Sequence, residues 1–332
     1  MPWRSLSVYR YATALEFFKI AAYTGAFFLV INNLKNKSQI HRFILIIIFM
    51  GLFEASYGLL EYLSGHQHIL FLKKTQYQAM VTGTYVNKNH LAGYLEMIIP
   101  FCFGFLIFQI KEFVYIAKTQ NLRGFFKLLL LIFIIAIISF AVILSRSRMG
   151  IFGLVSSLIF MSSMFVIERF RKASLRLFAM IIGLALLVGI FSAISRGLNL
   201  EIPLDKGRIQ QYKDTVDLIK DFPLLGTGLG TYGYVYPGPS SHAHNDYLEL
   251  LSETGIIGFA ILILGIGPFL WRLVKAWFKT EDSYRRWMGL SGLTAIAAIL
   301  LHSLVDFNLH IPANAFLFIV IMGLTQNLLF VE

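Results

Sequence analysis

The sequence predicts an all-α fold, a polytopic bundle of transmembrane helices, on three observations. Of 332 residues, 57% are hydrophobic and only 14% charged, whereas a soluble globular chain carries about 25% charged residues. Nine segments hold the roughly 20 apolar residues needed to cross a hydrocarbon layer; they fall at about 13–32, 43–63, 91–110, 126–145, 150–168, 177–194, 256–275, 287–306 and 314–331. Uninterrupted apolar runs such as Phe126–Leu144 exclude outer-membrane barrel strands, which alternate polar and apolar residues. Residues 1–332 therefore read as a single integral membrane domain.

The first element, Met1–Arg10, carries Arg4 and Arg10 with no span before it. It has neither the spacing nor the apolar core of a cleavable signal, and a missing upstream portion would explain it. Basic residues then set the orientation, because cytoplasmic loops collect Lys and Arg. With the N-terminus outside, the inner loops hold Lys35, Lys37, Arg42, Lys111, Lys118, Arg123, Lys127, Arg169, Arg171, Lys172, Arg176, Arg272, Lys275, Lys279, Arg285 and Arg286. Seven of the eight histidines then fall outside, leaving only His41 within. Chemistry on the histidine side has no cytoplasmic nucleotide-sugar pool to draw on. Cys102, the lone cysteine, lies within a span and reads as a small core hydrophobe.

Two outer segments are substantial, Ser64–His90 and the large loop Ser195–Thr254. The first ends in Gly83-Thr-Tyr-Val-Asn-Lys-Asn-His-Leu-Ala-Gly93, where Asn87 or Asn89 either caps the next helix or touches substrate. Between the fourth and fifth spans comes Ser145-Arg-Ser-Arg-Met-Gly150. Arg146 and Arg148 there sit on the wrong side for the charge rule. They either snorkel to lipid phosphates or use the planar guanidinium fork to hold a substrate phosphate, and the second reading is favoured.

Within the large loop, Gly207–Asp221 reads as an amphipathic helix lying on the membrane surface, with Ile209, Tyr212, Val216 and Ile219 on one face. Gly226-Thr-Gly-Leu-Gly230 is no dinucleotide motif, since no βαβ unit surrounds it; its glycines permit close backbone approach, a phosphate being one candidate. The stretch Ser241-His-Ala-His-Asn-Asp-Tyr-Leu-Glu-Leu-Leu-Ser-Glu-Thr-Gly255 packs two histidines and three carboxylates against the next apolar run. Ionisable groups at a membrane edge are costly to desolvate and are functional candidates by default. Asp246 and Glu249 have capping-box spacing, which starts a helix at Asp246 and ends it near Gly255. His244 then precedes a helix N-terminus, where the dipole disfavours a positive imidazole; it either accepts a proton or merely bonds locally. His242, Ala243, His244, Asn245 and Asp246 also contain metal-type ligands, but no Cys pair, HExxH or Asp-x-Asp accompanies them, so no metal is expected. His302 and Asp306, four apart, read as a buried pair joining helices.

The order of these motifs resembles the bacterial O-antigen ligase and polymerase superfamily. The residues that carry it are Ser145-Arg-Ser-Arg148-Met-Gly, Gly207-Arg208, Phe222-Pro-Leu-Leu-Gly-Thr-Gly-Leu-Gly230, His244-Asn-Asp-Tyr-Leu-Glu-Leu-Leu-Ser-Glu-Thr-Gly255 and His302-Ser-Leu-Val-Asp-Phe-Asn-Leu-His-Ile-Pro-Ala-Asn314. The resemblance implies a multi-pass enzyme of the bacterial inner membrane with a periplasmic active site, transferring a glycan from undecaprenyl diphosphate to an acceptor hydroxyl without cofactor or metal. Its partners would be that carrier-linked glycan, a lipid A-core or similar acceptor, and membrane lipids; no nucleic acid is implied. The resemblance gives Arg148 and Arg208 to the diphosphate, with Arg146 as a substitute for Arg148, and His244 to catalysis; Asn245, His242, Asn87 and Asn89 are supporting candidates. Relatives commonly have about a dozen spans, so N-terminal helices are expected to be missing here. An O-antigen or exopolysaccharide polymerase, a protein O-oligosaccharyltransferase and a lipid-linked glycan transporter remain as alternatives.

Overall fold

The computed structural model describes residues 6–116, 122–169, 183, 189, 206–238 and 240–330. Its helices are α1 (Arg10–Asn33), α2 (Lys37–Leu63), α3 (Lys88–Ile116), α4 (Leu122–Leu144), α5 (Arg148–Arg169), α6 (Lys206–Asp221), α7 (Tyr232–Val235), α8 (Asp246–Lys279), α9 (Ser283–His302) and α10 (Pro312–Phe330). A short ladder, β1 (His68–Ile69) with β2 (Leu72–Lys73), decorates the loop between α2 and α3. The polytopic helical bundle is the one expected. Seven helices among the described residues, α1 to α5, α8 and α10, are long and apolar enough to cross a membrane. The expected span at 287–306 corresponds to α9, which is more polar and ends at His302. Apart from Gly183 and Gly189, the expected span at 177–194 lies outside the described residues, as do Arg4, Lys118, Arg171, Lys172 and Arg176.

The core is built on α3 and α9, with α4 and α5 flanking α3 and α10 joining α9 to α1. In a bilayer, apolar side chains gain nothing by leaving lipid for one another, so close packing of small residues supplies the attraction. Gly104 of α3 faces Ser291 of α9, and Gly292 of α9 faces Thr325 of α10; a Cβ at either glycine would collide. Glu96 of α3 and His302 of α9, both fully buried, meet at 3.0 Å and tie the two helices. The helix-joining partner of His302 is therefore Glu96, not Asp306. Because α9 stops at His302, the spacing of four does not put Asp306 on the same helical face.

The two ends of the bundle differ. At one end Lys37 pairs with Asp282 at 3.2 Å, and Arg285 donates to the terminal carbonyls of Leu328 and Leu329, a cation at a helix C-terminus as the dipole favours. Asn327 donates to the carbonyls of Val30, Ile31 and Leu34, closing the last turn of α1. The other end gathers the starts of α3, α5 and α8 with the ends of α2, α4 and α9. There α8 breaks at Gly255, whose φ of 64° and ψ of −176° divide a short helix from a long apolar one, as the sequence predicts.

Candidate active site

The site is assembled from loops at that second end. α5 begins abruptly because Ser147 caps it, its Oγ accepting from the Gly150 amide at 3.3 Å, while Arg146 turns the chain with φ +54°. A left-handed conformation is unfavourable for a residue with a Cβ. Of the five non-glycine residues with positive φ among the described residues, Tyr77, Arg146 and His244 belong to this site, where surrounding contacts can hold strain in place. The carbonyl of Arg146 accepts from Lys88 Nζ at 3.0 Å, and Lys88 lies within electrostatic reach of Arg146, Arg148 and Arg208. Four cations thus converge from three separate segments. Arg208, on the first turn of α6, donates from Nη1 to the Val305 carbonyl at 3.1 Å, which places it beside Asp306.

Ile209 and Val216 of the α6 apolar stripe are exposed, while Gln211 and Thr215 are buried. The helix also clamps the histidine loop. Gln211 Nε2 donates to the His242 carbonyl, the Tyr212 hydroxyl donates to the His244 carbonyl at 2.9 Å, and Thr215 meets the Tyr232 hydroxyl at 2.8 Å. Burial pushes the Tyr232 phenol up to about 12, so it stays a neutral donor or acceptor in that bond.

The glycine turn has a different role from phosphate binding. Thr227 N and Gly228 N donate to the carbonyls of Ser252 and Glu253, and Gly230 N and Tyr232 N both donate to the Glu253 carboxylate at 2.9 Å. The amides of Thr227, Gly228 and Gly230 are engaged by the end of the short helix, and the close approach is between Gly226 and the Glu253 backbone and between Gly255 and Leu224. The capping box is also replaced. Asn245 is the cap of α8, its Oδ1 accepting from Tyr247 N and Leu248 N, while its Nδ2 donates to the Leu304 carbonyl. That frees Asp246 and Glu249 for imidazoles. Asp246 lies 2.6 Å from His310 Nδ1, and Glu249 lies 2.8 Å from His242 Nδ1 and accepts from the Ala243 amide. Burial disfavours a charged His310, but Glu249, Asp246 and Glu253 outweigh it and hold the imidazole up to about 9.

His244 is held separately. Its Nδ1 stands 3.4 Å from Asp306 Oδ1, and its ring meets Phe307 edge-on at 4.9 Å, while His242 stacks flat on the same Phe307 at 4.2 Å. Asp306 also accepts from Asn89 Nδ2 at 2.7 Å and from the Phe307 amide at 2.9 Å. Burial pushes its carboxyl up, yet the His244 bond, the charge of His302, the Phe307 amide and His90 hold it well below the usual carboxylate range. Asn89 therefore reaches the site through Asp306. Asn87 accepts from the Asn89 amide at 2.9 Å, the capping contact at the start of α3.

The structure thus brings Arg146, Arg148, Arg208, His244 and Asn89 into one locality, stacks His242 on Phe307, and gives Asn245 and Asn87 capping contacts. Sequence reasoning missed Lys88 and Asp306. A lysine at the histidine-bearing start of a span violates the charge rule as Arg146 and Arg148 do, a signal that would have found Lys88. Asp306 was hidden by its spacing from His302. Both histidines line a cleft of about 1030 Å³, large for a small-molecule site. Among the described residues no group of three or more His, Cys, Asp or Glu side chains is arranged to hold a metal ion. The arrangement can take a proton at His244 beside a surface that attracts a polyanion.

Residues 131–263 match the family model described as O-antigen ligase, a stretch that includes Arg146, Arg148, Arg208 and His244 but ends before Asp306. No curated protein matches the chain.

Proposed function

We propose that this chain acts as a member of the O-antigen ligase superfamily, whose family model matches residues 131–263, and transfers a glycan from an undecaprenyl diphosphate carrier to an acceptor hydroxyl. The donor and the lipid A-core type of acceptor come from the family. The observation that carries the chemistry is His244, backed by Asp306 and adjoining the cluster of Lys88, Arg146, Arg148 and Arg208. The reaction lies at the periplasmic face of the inner membrane, in keeping with basic residues at the opposite end of the bundle.

The leaving group is a carrier diphosphate, and negative charge accumulates on it as the glycosidic C–O bond breaks. Arg148 and Arg208, joined by Lys88, stabilise that charge, so the diphosphate needs no metal ion. The acceptor hydroxyl attacks the anomeric carbon from the opposite face and inverts it. Its proton passes to His244 Nε2, which is available because Nδ1–H faces Asp306. Asp306 stabilises the imidazolium that forms and sets the tautomer; it is a positioning residue. The same steps would serve a polymerase, in which the acceptor hydroxyl belongs to a second carrier-linked glycan.

His244→Ala tests the assignment. In single-turnover transfer from an undecaprenyl diphosphate-linked glycan, the rate should fall by about 10²–10⁴, the range for a lost general base, with donor affinity retained. Chelators should leave the wild type unchanged. A variant that transfers at the wild-type rate would end the acid–base assignment.

A further inference from the structure

None of the four cations lines the cleft, and the part of it away from His244 is left unused by the donor chemistry. Glu54, on α2, is only 8% exposed and lines the cleft with Gln76, Tyr77, Thr84, Tyr85 and Tyr94. Its two oxygens each accept one bond from Thr84, from the amide at 3.0 Å and from the hydroxyl at 2.7 Å. The glycines of this region bring the loop that close. A Cβ at Gly58 would meet the Gly83 backbone at 2.8 Å, and one at Gly83 would meet Glu54 Oε2 at 2.6 Å. A carboxylate offers about four lone-pair sites, so two remain for a ligand. Among the described residues no lysine, arginine or histidine pairs with Glu54. A carboxylate this deep in a bundle is expensive unless it has a use. Beside it the rings of Tyr85 and Tyr94 lie 5.8 Å apart and tilted by 45°.

We infer that this part of the cleft, built from Glu54, Tyr85 and Tyr94, is the acceptor subsite and takes a neutral or amino sugar rather than an acidic one. The identification rests on the proposed glycan transfer. Aromatic rings pack on the C–H faces of a sugar, and a carboxylate accepts from its hydroxyls in strong charge-assisted bonds. The sign of the charge divides the two substrates. The four cations take the diphosphate, while Glu54 repels phosphate and uronate and welcomes hydroxyl or ammonium. His244 belongs to both neighbourhoods, since it lines the cleft and shares Asp306 with the segment that Arg208 touches.

The test uses the full chain in lipid nanodiscs and three probes, methyl glucoside, glucosamine and glucuronate, with binding read by saturation-transfer NMR. Methyl glucoside and glucosamine should bind, and glucuronate about tenfold more weakly. Glu54→Gln should weaken glucosamine by about tenfold, the loss expected for one bond to a charged group, and bring glucuronate level with methyl glucoside. Tyr94→Ala should weaken all three without changing their ranking, which a collapsed fold would not do. No binding of any sugar to the wild type, or unchanged charge discrimination in Glu54→Gln, overturns the subsite. His244-dependent transfer measured on the same preparations separates the two ideas. Transfer without sugar binding removes only the subsite, sugar binding without any transfer removes the proposed reaction, and transfer indifferent to His244 removes only its acid–base role.

Discussion

Asp306→Asn isolates the positioning role of one carboxylate. In the native protein Oδ2 accepts from Asn89 at 2.7 Å, and Oδ1 accepts from the Phe307 amide at 2.9 Å and faces His244 Nδ1 at 3.4 Å. An asparagine keeps the volume but loses the charge and one acceptor. If its oxygen stays toward Phe307, His244 loses an anionic partner for the imidazolium that forms during transfer. If its amide turns there instead, Nδ1 must accept and Nε2 carries the hydrogen, so the ring cannot take a proton. A hydrogen bond to a charged group contributes about 1.5–3 kcal/mol, or about 10- to 150-fold in rate. The resting distance of 3.4 Å is long, and such bonds tighten when the imidazole becomes charged. The expected loss is therefore about 10²-fold in the single-turnover rate, smaller than or equal to that of His244→Ala. Donor affinity should not fall, since Arg208 keeps its bond to the Val305 carbonyl and the charge removed is an anion. The assay is transfer from a carrier-linked glycan under acceptor excess, with donor binding measured separately. A rate within about twofold of wild type, or a loss confined to donor affinity, would refute the positioning role.

Arg208→Lys and Arg148→Lys should each slow transfer by about tenfold or more although the charge survives, because an ammonium cannot reproduce the bidentate fork; wild-type rates in both would reduce the cluster to general basicity. Gly255→Ala should lower the melting temperature of the detergent-solubilised protein. Its φ of +64° and the Leu224 carbonyl carbon 2.4 Å from an added Cβ leave no strain-free conformation, and the backbone alone costs about 1–3 kcal/mol. His310, held up to about 9 against roughly 6.5 when unfolded, contributes stability that is complete below about pH 6.5 and lost as pH rises through 9. Melting temperature should therefore fall between pH 6.5 and 9.5 in the wild type, and His310→Gln should lack that slope.

Much of this fold is legible in the chain because the signals that specify it are local. Whether a stretch can cross a membrane depends on its own 20 or so side chains, so the spans at 13–32, 43–63 and 256–275 coincide with α1, α2 and the long part of α8. The break at Gly255 is equally local, since only glycine tolerates that backbone. The gathering of histidines at one end follows from helix order alone. What the residues do once gathered is a different matter. Asp246 and Glu249 have the spacing of a capping box, yet Asn245 takes the cap and the carboxylates go to His310 and His242. The apolar stripe of α6 gives no sign of its polar contacts, in which Gln211 and Tyr212 donate to two carbonyls of the histidine loop. His244 meets Asp306 across 62 residues, and Arg208 meets Val305 across 97. Such pairings depend on where α9 stops and how α3, α5 and α8 converge. Composition and periodicity carry the element; only packing between distant elements decides which polar groups must satisfy one another.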